Sequence, residues 1–97
     1  MAFNKDKALK EAEKLLAKGK DRDAIKLFEE VFKNDPRDLN SLNKVGDLYL
    51  KIGEKSAAID AYAKIAEKYA TDGFNLRAIA MYKKCQRVDP ARIDYVE

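Results

Sequence analysis

Few side chains in this sequence are equipped for covalent or acid–base chemistry. Serine occurs only at Ser41 and Ser56, cysteine only at Cys85, and histidine not at all. Without histidine, neither a Ser-His-Asp nor a Cys-His relay can be assembled, and a histidine-ligated metal site is excluded for the same reason. A lone cysteine forms neither an intrachain disulfide nor a cysteine-rich metal centre. No glycine-rich phosphate loop and no carboxylate pair in an evident pocket is present. The expectation is a protein that is not an enzyme and that carries no cofactor and no metal. Cys85 shares a helical face with Ala78, Met81 and Tyr82, so it reads as a small core residue rather than a redox centre.

The spacing that does recur is structural. Gly-x4-Ala-Ile-x2-aromatic appears at Gly19 to Phe28, Gly53 to Tyr62 and Gly73 to Tyr82, with offsets of 34 and then 20 residues. A repeat of about 34 residues with these types signals a helix-turn-helix array whose curved surface holds other proteins, and the short second offset implies a copy that has lost a helix. The 97 residues suit a single domain. Hydrophobic residues make up 46% and charged residues 38%, as expected for amphipathic helices that bury one stripe each. A net charge of +3, interspersed along the chain, does not by itself imply nucleic acid. Met1 to Lys10 alternates charges with single apolar residues and lacks the apolar run of a secretory signal, so the expected location is cytoplasmic, with no direct membrane insertion.

Apolar periodicity predicts five helices and no strand. The first covers about Lys5 to Lys18 on Ala8, Leu9, Ala12, Leu15 and Leu16, and Gly19 closes it. The second, capped by Asp21, carries Ala24, Leu27, Phe28 and Val31 and stops before Asp35-Pro36. Asp38 caps the third, built on Leu42, Val45, Tyr49 and Leu50 and closed by Gly53. The fourth runs from about Lys55 to Ala70 and the fifth from about Phe74 to Val88, before Asp89-Pro90.

These residues resemble the tetratricopeptide repeat (TPR), with consensus W-x2-L-G-x2-Y, then A-x3-F, then P. One window, about residues 5–38, reads Ala8-x2-Glu11-Ala12-x2-Leu15, then Ala24-x3-Phe28, then Pro36. Another, about 39–72, reads Leu42-x2-Val45-Gly46-x2-Tyr49, then Ala58-x3-Tyr62. An overlapping window, about 59–92, reads Tyr62-x2-Ile65-Ala66-x2-Tyr69, then Ala78-x3-Tyr82, then Pro90. The resemblance covers nearly the whole chain and implies one all-α domain over 1–97, a right-handed α-solenoid of antiparallel helix pairs with a short C-terminal segment. Small residues at Ala12, Gly46 and Ala66, and at Ala24, Ala58 and Ala78, let partner helices approach. Phe28, Tyr62 and Tyr82 fill the space between pairs.

Because two windows overlap, the fourth helix must close one repeat and open the next. Its polar stripe is narrow, formed by Asp60, Lys64, Glu67, Lys68 and Thr71, so it is expected to be the most buried helix and the point at which the superhelix changes direction. The first helix is one-sided, with Lys5, Lys7, Lys10, Lys14 and Lys18 on its polar flank, as in a solvent-facing cap. The fifth spreads apolar residues over most of its surface, which needs cover. Ile93 and Val96 begin another apolar pattern, which leaves three readings open: a longer array, pairing with a second copy as a homo-oligomer, or a segment that folds back as a cap.

In proteins of the resembled family the first helix of each repeat lines a concave groove that holds an extended peptide or a helix. Carried across, that places Asp6, Leu9, Glu13 and Leu16 on the groove with Asn40, Asn43, Asp47, Leu50 and Lys51. A partly acidic groove of this kind favours a protein partner with basic and apolar residues at short spacing. Family members that grip acidic chaperone tails use Lys, Arg and Asn where this chain has Leu9, Glu13 and Asp47, so that function is disfavoured. Helical-repeat RNA binding is opposed by the same acids, and no nucleic-acid partner is expected. The reading is a protein–protein interaction scaffold or adaptor, with self-assembly through the fifth helix as the alternative.

Overall fold

The computed structural model describes residues 2–91, and among these it contains five helices and no strand. They are α1 (Lys5–Ala17), α2 (Asp21–Asn34), α3 (Leu39–Lys51), α4 (Lys55–Thr71) and α5 (Asn75–Val88). The expected helices are all present with ends within about two residues, the usual tolerance for frayed termini. The segment Arg92 to Glu97, with Ile93 and Val96, lies outside the described residues. No helix among them is long and apolar enough to cross a membrane.

The recurring glycine closes three helices in one way. Gly19, Gly53 and Gly73 have φ of 74°, 84° and 86°, where a side chain is strained. At the first, the Gly19 amide donates to the Leu16 carbonyl at 3.0 Å and the Lys20 amide to Leu15 at 2.8 Å, the paired bonds of a Schellman turn. Gly53 with Glu54, and Gly73 with Phe74, repeat both bonds. The same turn corrects one expectation. Lys20 ends that turn and also stands at the N-cap of α2, which displaces Asp21 into the helix as its first residue, with no side-chain cap bond. Asp21 instead pairs with Lys51 at 3.4 Å. Likewise Phe74 is the N-cap of α5 rather than its first turn, and its ring meets Tyr69 edge-on with centroids 6.3 Å apart. Asp38 caps α3 as expected, accepting from the Ser41 amide at 3.1 Å. Asn4 caps α1 by accepting from Lys7 at 3.0 Å.

Backbone packing runs in chain order: α1 on α2, α2 on α3, α3 on α4 and α4 on α5, with no other helix pair in close backbone approach. The molecule measures 39 × 29 × 17 Å. Its thinnest dimension accommodates two layers of helices at the usual separation of about 8–10 Å. α4 contributes Ala58, Ile59, Ala61, Tyr62, Ile65 and Ala66 to the core, the largest buried set of any helix, and Tyr62 is fully buried. Gly46 makes the α3–α4 approach possible, since a Cβ there would stand 2.4 Å from the Tyr62 ring. Cys85 is fully buried, its thiol 3.8 Å from the Ile59 carbonyl.

Candidate protein-binding face

α1 and α3 do not touch through their backbones, yet their side chains line one depression of about 390 Å³. Lys5, Leu9 and Glu13 come from α1; Asn40, Ser41 and Lys44 come from α3; Phe28 and Asp38 complete the lining. Helical spacing explains the set, because Lys5, Leu9 and Glu13 succeed one another at four-residue steps, as do Asn40 and Lys44. An ionic clasp holds one end. The Lys5 ammonium lies 2.9 Å from Asp35 Oδ2 and 3.0 Å from Asp38 Oδ2, and the Ser41 hydroxyl donates to Asp38 Oδ2 at 2.9 Å. Hydrogen bonding from Lys5 holds the Asp35 carboxyl below its ordinary range, and the same bonds raise Lys5. Burial works against ionisation of Asp38, but Lys5 and the two Ser41 donors outweigh it and hold this carboxyl low as well.

The face continues from α3 to α5. Lys84 of α5 donates to Asn43 Oδ1 at 3.3 Å and to Asp47 Oδ1 at 3.4 Å, and its ammonium stands 4.2 Å above the Tyr62 ring. The Tyr62 hydroxyl donates to the same Asp47 oxygen at 2.5 Å, and the Asn43 amide reaches Asp47 Oδ2 at 3.5 Å. Burial, and then the bond to the Asp47 carboxylate, push the Tyr62 phenol well above its ordinary range. Asp47 is thus tied to the core through Tyr62 and paired across to α5.

Of the residues expected on the groove, Leu9, Glu13 and Asn40 come together in the α1–α3 depression, and Asn43 with Asp47 in the α3–α5 cluster. Leu16 and Leu50 are partly buried against the core. Lys51 is drawn to Asp21 of α2, and Asp6 is exposed outside both groupings. Charge is mixed where a partly acidic groove was expected: Lys84 offsets Asp47, Lys5 offsets Asp35 and Asp38, and Lys44 lines the same depression as Glu13. Lys5, expected on the solvent-facing flank of the first helix, instead joins this depression, and Lys44 and Lys84 were not among the expected groove residues. Stepping by four from Leu9 and Asn40 reaches the first two, whereas Lys84 is set by how α5 packs on α4. Among the described residues no group of three or more His, Cys, Asp or Glu side chains could hold a metal ion. The sequence matches no protein-family model and is not significantly similar to any curated protein.

Proposed function

We propose that the chain is a TPR-like α-solenoid that acts as a non-catalytic adaptor, holding a peptide or helix of another protein along the face shared by α1, α3 and α5. The observation that carries this reading is the coupling of alternate helices. α3 packs its backbone only on α2 and α4, yet its side chains share a depression with α1 and hydrogen-bond to α5. A chain stacked as antiparallel pairs in two layers brings alternate helices side by side in this way. End-to-start ion pairs support the antiparallel arrangement. Lys5 at the start of α1 meets Asp35 beyond the end of α2, and Asp21 at the start of α2 meets Lys51 at the end of α3.

The chemistry of the face defines the partner class. Leu9 offers an apolar contact beside exposed Glu13, Asn40 and Lys44, and the Asn43–Asp47–Lys84 cluster supplies donors and acceptors already held in place. A partner with apolar residues flanked by polar and basic groups at short spacing fits this pattern. The test is affinity capture from lysate of the source cell, comparing the native chain with a Glu13→Arg, Asn40→Arg variant of matched helicity. Both positions are exposed, so the substitutions alter the face and spare the core. A protein retained by the native chain and lost from the variant supports the assignment. Equal retention by both moves the binding surface elsewhere.

A further inference from the structure

α5 is covered by α4 on one side and reaches α3 through Lys84, which leaves another side open among the described residues. There Leu76 is 83% exposed and Ile79 49% exposed. With Lys83 and Arg87 they stand at i, i+3, i+7 and i+11, a single helical stripe that is apolar in its first half and basic in its second. Beside it a groove of about 470 Å³ lies between α4 and α5, its lining including Ala70, Ala78, Ile79, Tyr82, Lys83 and Gln86. No Asp or Glu occurs from Asn75 to Val88, and none of the ion pairs among the described residues involves Lys83 or Arg87.

We infer that this face docks an amphipathic helix of a partner protein, one that carries acidic residues beside its apolar stripe. A groove between two helices, lined at Ala70 and Ala78 by methyl groups, admits a third helix at normal packing distance. Lys83 and Arg87 set the charge the occupant must bring. A second copy pairing α5 against α5 is a poor match, since it brings the same basic groups and no acid from that helix. An anionic lipid surface is flat, whereas Ile79 lines a concavity together with Ala70, Ala78 and Tyr82. At about 100° per residue, the groove residues Ala78, Ile79, Tyr82 and Lys83 lie about 100–160° around the helix axis from Lys84, while Leu76 and Arg87 lie about 60–80° from it, so the groove itself faces away from the shared α1–α3–α5 face.

The test uses the full chain and two fluorescein-labelled designed helical peptides of about 18 residues, or five turns. Both carry the same leucine stripe; one has glutamate flanks and the other lysine flanks. Fluorescence anisotropy is expected to show the glutamate peptide bound about tenfold more tightly at low salt, with the gap narrowing at about 0.5 M salt. Lys83→Glu with Arg87→Glu is expected to reverse the preference, a gain of binding that misfolding cannot imitate. Leu76→Ser with Ile79→Ser is expected to weaken both peptides. Equal binding of the two peptides by the native chain, or a preference that survives the charge reversal, overturns the inference. It is equally overturned by self-association in sedimentation that Ile79→Lys abolishes, by capture on phosphatidylserine vesicles that Leu76→Ser abolishes, or by an affinity that rises about tenfold when Ile93→Ser and Val96→Ser disable the chain's own C-terminal segment.

Discussion

Gly46 and Tyr62 show how a single residue type decides the distance between two helices. A methyl group at Gly46 would overlap the Tyr62 ring at 2.4 Å, and that ring is fully buried. Alanine favours a helix over glycine by about 1 kcal/mol, but overpacking of a dense core costs about 1–3 kcal/mol, so Gly46→Ala should be destabilising in urea titration. In a Tyr62→Leu background the penalty should shrink. Tyr62→Phe keeps the ring and removes its bond to Asp47, at an expected cost of about 1 kcal/mol. It should also change the pH dependence. The Tyr62 phenol is raised in the folded chain, so its stabilisation is complete below about pH 10, the unfolded value, and is lost as pH rises above it. Tyr49, raised by burial and by Glu29, acts in the same direction. Tyr62→Phe should therefore fall less steeply than the native chain above about pH 10. Tyr62 and Gly46 were legible as core because their spacing repeats. The partnership of Asp47 with Lys84 was not, since the residues come from helices with no backbone contact and meet only through the packing of both on α4.

Individual elements were the most legible part of the sequence, because glycine and proline punctuate them and the apolar stripes have one period. Their N-termini were less so. Asp38 and Asn4 cap through their side chains, while α2, α4 and α5 begin directly out of a Schellman turn with Lys20, Glu54 or Phe74 at the cap. In those three the turn residue and the cap residue are the same, which leaves no place for a separate capping side chain. The contribution of a true cap is measurable at α3, where Asp38→Ala should cost about 1 kcal/mol in thermal or chemical unfolding. Asp35 and Asp38 are both depressed in the folded chain, so their contribution is present above their ordinary value of 3.8 and is lost as pH falls below it. Asp38→Ala should accordingly reduce the loss of stability on acidification, and Lys5→Met should reduce it further.

At the scale of the molecule, packing in chain order means that each helix depends on its sequence neighbours. α4 is held on both sides, whereas α1 packs only on α2. Amide exchange should therefore be slowest in α3 and α4 and faster in α1, and uniform protection across all helices would contradict this arrangement. The helical class and the order of elements follow from periodicity and were readable in advance. The mixed charge of this face was not, because Lys5, Lys44 and Lys84 are ordinary solvated lysines until the packing of the helices brings Lys5 to Asp38, Lys84 to Asp47 and Lys44 into the depression that Glu13 also lines.

The most direct test of the shared face is an amide-resolved NMR titration of the isotopically labelled chain with the protein recovered by capture. Shifts clustered on Leu9, Glu13, Asn40, Lys44 and Lys84 are the predicted result. Shifts confined to Glu29, Asp60 and Lys64, which border the groove lined by α2, α3 and α4, would contradict it.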